Sequence, residues 1–430
     1  MKVHFIGIGG IGVSALAQYY LAKGHKVSGS DLVASEITDF LIGKGANVTI
    51  GNSAENIKEN FDIVIHSPAV KADNPEYAKA KELGIKTQSY PEALGDLTKD
   101  YYTIAVSGAH GKSTTTTMIA LVLTKAGFDP TVIVGTKVKE FGNSNFRMGE
   151  SKYLVIEACE YDLSFLSYSP KIIVVTNVDK EHLDYFKTFA NVKKAFKDFI
   201  MRLPGDGFLV FNKDDEFIPK IGRPKFKVNG YSLKQKDAGK IKKILKVPGK
   251  HNISNALAVL QVARNLEISD EITFNTLGEF NGTWRRFEIK EGLAGEKKIT
   301  VVSDYGHHPN EVLATLKAAR EKFGKKKIWC VFQPHQHQRT YYLFNDFVKV
   351  FRKVDIDKII ITDIYDVAGR ETQAINKEVS SEKLVKRINK KNVSYLSMDK
   401  LSWNIKDSIG EGDVLIIMGA GDIYKLADSF

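Results

Sequence analysis

Cysteine is nearly absent from the 430 residues: Cys159 and Cys330 are the only two. They stand far apart and form no C-x-x-C pair, which argues against a disulfide framework or a thiolate zinc site and fits a reducing compartment. Long apolar runs are missing as well. No stretch approaches the ~18 apolar residues that a membrane span needs. The chain enters an apolar strand at Val3–Ile6 without the basic and long apolar segments of a leader peptide. A cytoplasmic protein with no membrane insertion is expected. Internal repeats and low-complexity segments are also lacking. What is present is the composition of well-packed cores, 43% hydrophobic and 26% charged, and not that of a disordered chain. At roughly 100–200 residues per domain, the length requires several domains.

The net charge of +11 raises the question of a nucleic-acid partner, so its distribution matters more than its size. Residues 220–246 concentrate the excess, with a run of lysines and arginines against the single acid Asp237. No RNA- or DNA-binding motif accompanies that stretch. It reads as a solvated, lysine-rich surface, and no nucleic-acid partner is expected.

Short β-rich runs alternate with helical patterns along the chain, the mark of α/β units with parallel sheets. Lys2–Ile8 and Lys26–Ser30 flank a helical stretch from Gly12 to Lys23, and Val48–Ile50 and Asp62–Ser67 read as further strands. A second start comes at Tyr101–Ser107, which feeds a helix from Lys112 to Ala126, with later strands at Tyr153–Glu157 and Lys171–Asn177 and a helix over Asn252–Leu266. A third unit begins near Phe287. Its expected strands are Ile299–Asp304, Lys327–Phe332, Lys358–Asp363 and Val414–Gly419, with a helix at Pro309–Phe323.

Two glycine-rich turns carry the chemistry. Gly7-Ile8-Gly9-Gly10-Ile11-Gly12 satisfies G-x-G-x-x-G between a strand and a helix, and Asp31 ends the next strand. Glycines there let the backbone approach a diphosphate whose charge the helix N-terminus favours, so any nucleotide diphosphate fits, NAD included. The second turn, Gly108-Ala109-His110-Gly111-Lys112-Ser113-Thr114, is a shortened P-loop with Val106 at the position of the usual first glycine. Its N–H groups can cradle phosphates, Lys112 can reach the β and γ oxygens, and Ser113 can hold Mg²⁺. Glu157 closes one strand and His182 follows another. Together with Ser113 they could complete the coordination of one or two Mg²⁺ ions.

At this point the chain resembles the Mur ligase family, ATP-dependent amide-bond ligases of peptidoglycan precursor synthesis. The resemblance rests on the P-loop, on His251-Asn252-x-x-Asn255-Ala256, on Arg285-Arg286-Phe287-Glu288 and on Asp304-Tyr305-Gly306-His307-His308-Pro309, in that order. Departures are Ala109 for the usual Thr, Cys159 for Asp, Gln336 for Arg, and Tyr90-Pro91-Glu92 for Arg-Ala-Glu. It implies three domains: a Rossmann-like UDP-sugar domain over 1–99, a central P-loop ATPase-like parallel-sheet domain over 100–284, and a Rossmann-like amino-acid domain over 285–430.

The Gly7–Ser14 turn and the Phe332-Gln333-Pro334-His335 segment with Arg339 resemble the branch that adds L-alanine to UDP-N-acetylmuramate. The position of a carbamylated lysine in other branches holds Phe196. The resemblance therefore implies an ATP-dependent ligase that joins L-alanine to the lactyl carboxylate of UDP-N-acetylmuramate through an acyl phosphate, with ATP and Mg²⁺. Lys112, Glu157 and His182 would be catalytic. Gly108 through Thr114, Asn252, Asn255, Arg286 and Asp304 would bind ATP, with Arg286 reaching phosphate on domain closure. Gly9, Gly10, Ile11, Gly12, Asp31, Ser67 and Asn145 would bind the UDP-sugar, and Tyr305, His335 and Arg339 the amino acid. The protein would act as a monomer or dimer. A sister ligase that adds a murein tripeptide in wall recycling is the nearest rival. A nicotinamide-dependent dehydrogenase is a distant one, because it leaves the P-loop without a task.

Overall fold

The computed structural model describes residues 1–216, 224–366 and 378–430. Lys220 and Arg223 of the basic stretch lie outside them; within it, Lys240 sits 3.7 Å from the Phe274 ring centre and Lys242 lies 3.6 Å from Glu321.

Three sheets appear. The first is parallel and contains β1 (Lys2–Ile6), β2 (Lys26–Asp31), β3 (Asn47–Ile50), β4 (Ile63–His66) and β5 (Thr87–Ser89), ordered β3-β2-β1-β4-β5. The order of strand addition reverses between β1 and β4, and ligands of open α/β sheets bind at such a switch point, beyond the strand carboxyl ends. Helix α1 (Ile11–Ala22) leaves β1 there, and α2 (Glu36–Gly43), α3 (Pro75–Glu82) and α4 (Tyr90–Lys99) complete the unit.

The second sheet contains β6 (Tyr102–Ser107), β7 (Thr131–Val138), β8 (Ser144–Arg147), β9 (Tyr153–Glu157), β10 (Ile172–Val175), β11 (Phe208–Asn212) and β12 (Lys227–Tyr231), ordered β12-β11-β10-β6-β9-β7-β8. Among the described residues, only β7 and β8 of this sheet pair antiparallel. Helix α5 (Lys112–Lys125) follows β6. The third sheet contains β13 (Glu288–Ala294), β14 (Lys297–Asp304), β15 (Ile328–Phe332), β16 (Lys358–Ile361), β17 (Val393–Tyr395) and β18 (Val414–Met418), ordered β13-β14-β18-β15-β16-β17, with β13 antiparallel to β14. Strands such as Ile172–Val175 and Val414–Met418 are buried at every residue, which is why they read as unbroken apolar runs rather than alternating ones.

The residues cluster into two compact units. One is Met1–Lys180, Ala190–Ile241 and Ser254–Leu277, and the other is Glu181–Phe189, Lys242–Ile253 and Gly278–Phe430. The first two sheets thus share one unit. Several strand ends differ from expectation for local reasons. β1 stops at Ile6 because Gly7 turns to φ +79°, and β10 stops at Val175 because Thr176 and Asn177 turn to bond the second glycine loop. The β7–β8 hairpin was not anticipated from the sequence.

A buried polar cluster stabilises the first sheet. Glu76 on α3 is fully buried, lies 3.0 Å from His4 Nε2, and accepts from Ser30 Oγ at 2.6 Å, Asn56 Nδ2 at 2.8 Å and Ser53 N at 3.2 Å. Burial works against its ionisation, but the hydrogen bonds from His4, Ser30 and Asn56 prevail and hold its carboxyl below the ordinary value. A carboxylate with a depressed folded pKa stabilises above its unfolded value and loses that contribution as pH falls through the folded one. Glu76→Gln should cost about 2 kcal/mol in urea unfolding at neutral pH, and the deficit should shrink in acid. A deficit that stays constant down to pH 3 would contradict this account.

Candidate active site

The first glycine turn is shaped by its neighbours. Gly7 N and Ile8 N donate to Ser30 O at 2.8 and 3.0 Å, and Gly9 N donates to Asp31 Oδ2 at 2.8 Å. A Cβ at Gly9 would fall 2.8 Å from that same carboxylate oxygen, one at Gly7 3.0 Å from Ser67 Cβ, and one at Gly12 2.9 Å from Tyr90 Cζ. Gly9, Gly10, Ile11 and Gly12 are thus flanked by Asp31, Ser67 and Tyr90. Asn145 arrives from the hairpin strand β8. Its amide donates to Ile11 O and, at 3.0 Å, to Ser14 Oγ, and it accepts from Gln18 Nε2 at 2.7 Å. Ser144 Oγ adds a bond to Gln18 Oε1 at 2.8 Å. Beside this seam lies a cavity of about 250 Å³ lined by residues that include Ile11, Phe40, Lys137 and Asn143.

The second turn is pinned to the end of β10. Ala109 N donates to Asn177 O at 3.0 Å and His110 N to Asn177 Oδ1 at 2.9 Å. His110 O accepts from Thr176 Oγ1 at 2.6 Å and Asn177 Nδ2 at 3.0 Å. Gly108 (φ +138°) and Gly111 (φ +83°) hold conformations that side chains rarely adopt, and a Cβ on Gly111 would collide with Asn255. His110 Nε2 lies 3.1 Å from Asp179, and Thr114 is buried.

Lys112 Nζ donates to Gly108 O at 2.6 Å, Ala109 O at 3.2 Å and the buried Glu160 carboxylate at 3.1 Å. Burial alone favours the neutral amine, but Glu160, Cys159 and Glu157 outweigh it and raise the Lys112 pKa. Ser113 Oγ donates to Glu157 Oε2 at 2.8 Å, and Gly135 N reaches the same oxygen at 2.9 Å. The structure therefore brings Lys112, Ser113 and Glu157 together.

His182 belongs to the other unit, at the N-terminus of the short helix Leu183–Phe186 with φ +55°. There its neighbour Glu181, almost fully buried, accepts from Arg339 Nη2 at 3.3 Å, while Arg339 Nη1 lies 3.1 Å from His335 Nδ1. The His335 ring stacks on Tyr365 and lies 5.7 Å from the His307 ring, which in turn lies 5.4 Å from the Tyr305 ring. Burial opposes ionisation of Glu181, yet Arg339 and the imidazoles of His308, His182 and His307 hold its carboxyl well below the usual range. Burial pushes His307 down to about 4.

Asp304 is buried and faces inward. Oδ1 accepts from Gly306 N at 2.8 Å and Thr315 Oγ1 at 3.2 Å, and Oδ2 accepts from Phe287 N at 2.9 Å. Burial raises its pKa. Arg286 lies 4.8 Å from the Tyr305 ring centre and 3.9 Å from Glu311. On both sides of it, Arg285 and Phe287 have φ +54°. Asn252 donates to Pro248 O at 2.8 Å.

Sequence reasoning gave no individual role to Tyr90, Glu160, Asn177, Glu181 or Arg285, although Tyr90 and Arg285 stand in segments it singled out. Arg285 donates to Gly421 O at 3.0 Å and lies over the Tyr424 ring at 4.5 Å. Glu160 and Glu181 sit in visibly polar runs, but spacing does not tell which carboxylate meets which cation.

Comparison with known proteins gives three family matches along the chain. Residues 2–102 match the Mur ligase family, catalytic domain; residues 106–263 match the Mur ligase middle domain; residues 285–421 match the Mur ligase, glutamate ligase domain. The UDP-N-acetylmuramate–L-alanine ligase of Acetivibrio thermocellus is 43% identical, over 100% of this chain and 95% of its own. Among solved structures, the UDP-N-acetylmuramate-alanine ligase of Thermotoga maritima superposes with a TM-score of 0.82 at 28% identity, covering 100% of this chain and 98% of that one. A murein peptide ligase from Psychrobacter arcticus shares the fold, with a TM-score of 0.74 at 21% identity over 100% of this chain and 98% of that one.

Proposed function

The chain belongs to the Mur ligase family, and from that premise we infer that it joins L-alanine to UDP-N-acetylmuramate at the expense of ATP, forming ADP and phosphate, in peptidoglycan synthesis. The observation that carries this reading is the full-length similarity, at 43% identity, to a ligase of that name. The geometry supplies the chemistry. A carboxylate is a poor electrophile, so the γ-phosphoryl of ATP is first transferred to the lactyl carboxylate. ADP leaves, the amine of alanine attacks the acyl carbon, phosphate departs with the C–O electron pair, and the amine loses its proton to solvent.

Residues 100–284 supply the phosphate cradle, where Lys112 offsets charge on the transferring group. Ser113 and Glu157 present adjacent oxygen donors that fit a hard cation. They would hold Mg²⁺, and the resemblance adds His182. When bound, Mg²⁺ neutralises charge on the phosphates. Asn252 and Asn255 would contact the adenine, and Asp304 and Arg286 the rest of ATP. Residues 1–99 present the diphosphate turn. In residues 285–430, the Arg339 fork would take the amino-acid carboxylate beside His335 and Tyr305.

The test is ADP release, which should require both UDP-N-acetylmuramate and L-alanine. Faster turnover with the murein tripeptide than with alanine at equal concentration would reassign the acceptor. A second expectation concerns carbamylation. Phe196 is fully buried and packs edge-on against Phe165 at 5.5 Å, so no carbamate can form at that position. Activity should be the same in CO₂-depleted buffer as with added bicarbonate, and a stimulation by bicarbonate would refute this.

A further inference from the structure

We propose that Tyr90 is a contact residue for the sugar nucleotide, donating its hydroxyl to an anionic oxygen of that ligand beside the first glycine turn. The inference rests on the diphosphate-binding role assigned above to residues 1–99. Tyr90 opens α4, and its backbone is fixed there. Ser89 N and Ser89 Oγ each donate to Glu92 Oε2 at 2.7 Å, and Pro91 stands next in the first turn.

From that anchored position the ring lies against Gly12, in the first turn of α1. A Cβ on Gly12 would fall 2.9 Å from Tyr90 Cζ and 3.1 Å from its hydroxyl oxygen. The absence of a side chain at Gly12 is therefore what admits the phenol to the mouth of the diphosphate turn. No hydrogen bond occupies the hydroxyl among the described residues. Burial raises its pKa, and the charges of Glu157 and Cys159 add to the effect. It stays protonated at neutral pH, and the O–H is a donor in search of an acceptor.

A phenol seated against the first turn of α1 stands at the mouth of the expected diphosphate site. Both ends of UDP-N-acetylmuramate are anionic, the diphosphate and the lactyl carboxylate. UDP-N-acetylglucosamine carries the first without the second, so the two ligands distinguish the acceptor.

The experiment is calorimetric titration of the full chain and of Tyr90→Phe, which keeps the ring against Gly12 and removes only the hydroxyl. The variant should bind UDP-N-acetylmuramate about 5- to 10-fold more weakly, as expected for one lost hydrogen bond to a charged group. Its affinity for a non-hydrolysable ATP analogue and its thermal midpoint should be unchanged. Equal weakening for UDP-N-acetylglucosamine identifies a diphosphate oxygen, and weakening confined to UDP-N-acetylmuramate identifies the carboxylate. Wild-type affinity of Tyr90→Phe for both ligands would overturn the proposal. Failure of the unmodified protein to bind either one would instead overturn the reading of the first turn itself.

Discussion

Lys112→Ala should lower ATP turnover by about 10³-fold, the scale of losing a preorganised charge at a reacting phosphate. The loss will not be purely chemical. Glu160 is fully buried and lies 3.1 Å from the Lys112 ammonium, and removing one member of such a pair leaves an uncompensated charge in the interior. The single variant should therefore also be less stable. Lys112→Ala combined with Glu160→Gln should regain much of the stability and none of the turnover. That pattern separates the phosphate role from the structural one. Near wild-type turnover in the single variant would end the P-loop assignment, whatever its stability.

Arg339→Ala should raise KM for L-alanine by about 10²-fold, as truncating one partner of a buried, hydrogen-bonded charge pair does, with little change in KM for ATP. Here too the cation has an internal partner. Glu181 occupies one arm of the guanidinium and His335 the other, so an incoming carboxylate must share a fork already in use, which a planar group with five N–H donors can do. Arg339→Lys should recover only part of the loss, because an ammonium does not present two parallel donors. If alanine saturation were unaltered in Arg339→Ala, the carboxylate contact would have to lie elsewhere.

Features set by neighbours in sequence were legible before any coordinates. The helix Pro309–Phe323 is found at its expected bounds because its signals are local: Pro309 in the first turn, Glu311 reaching back to His308, and Gly324 after the end. Strand Tyr153–Glu157 is likewise an apolar run closed by a carboxylate. The glycine turns were visible for the same reason. The pairing of Glu181 with Arg339 was not, since 158 residues separate them. Nor was Asn177, which acts as a clip for the P-loop only because β10 lies beside β6 in the sheet. The β7–β8 hairpin escaped notice because β7 is buried along most of its length and offers no alternation to read.

The polar seam between Asn145, Gln18, Ser14 and Ile11 bears on how the chain can be taken apart. Residue 99 is the natural place to cut by sequence, since a fresh α/β pattern begins just beyond it. A fragment ending there would retain Gln18, which is buried in the intact chain, but lose the Asn145 and Ser144 groups that satisfy it. It would also lose Phe146, which packs edge-on against Tyr19 at 6.4 Å. A fragment cut at residue 99 should therefore be less stable than the first sheet is in the intact chain, and a urea midpoint equal to that of the intact chain would contradict this.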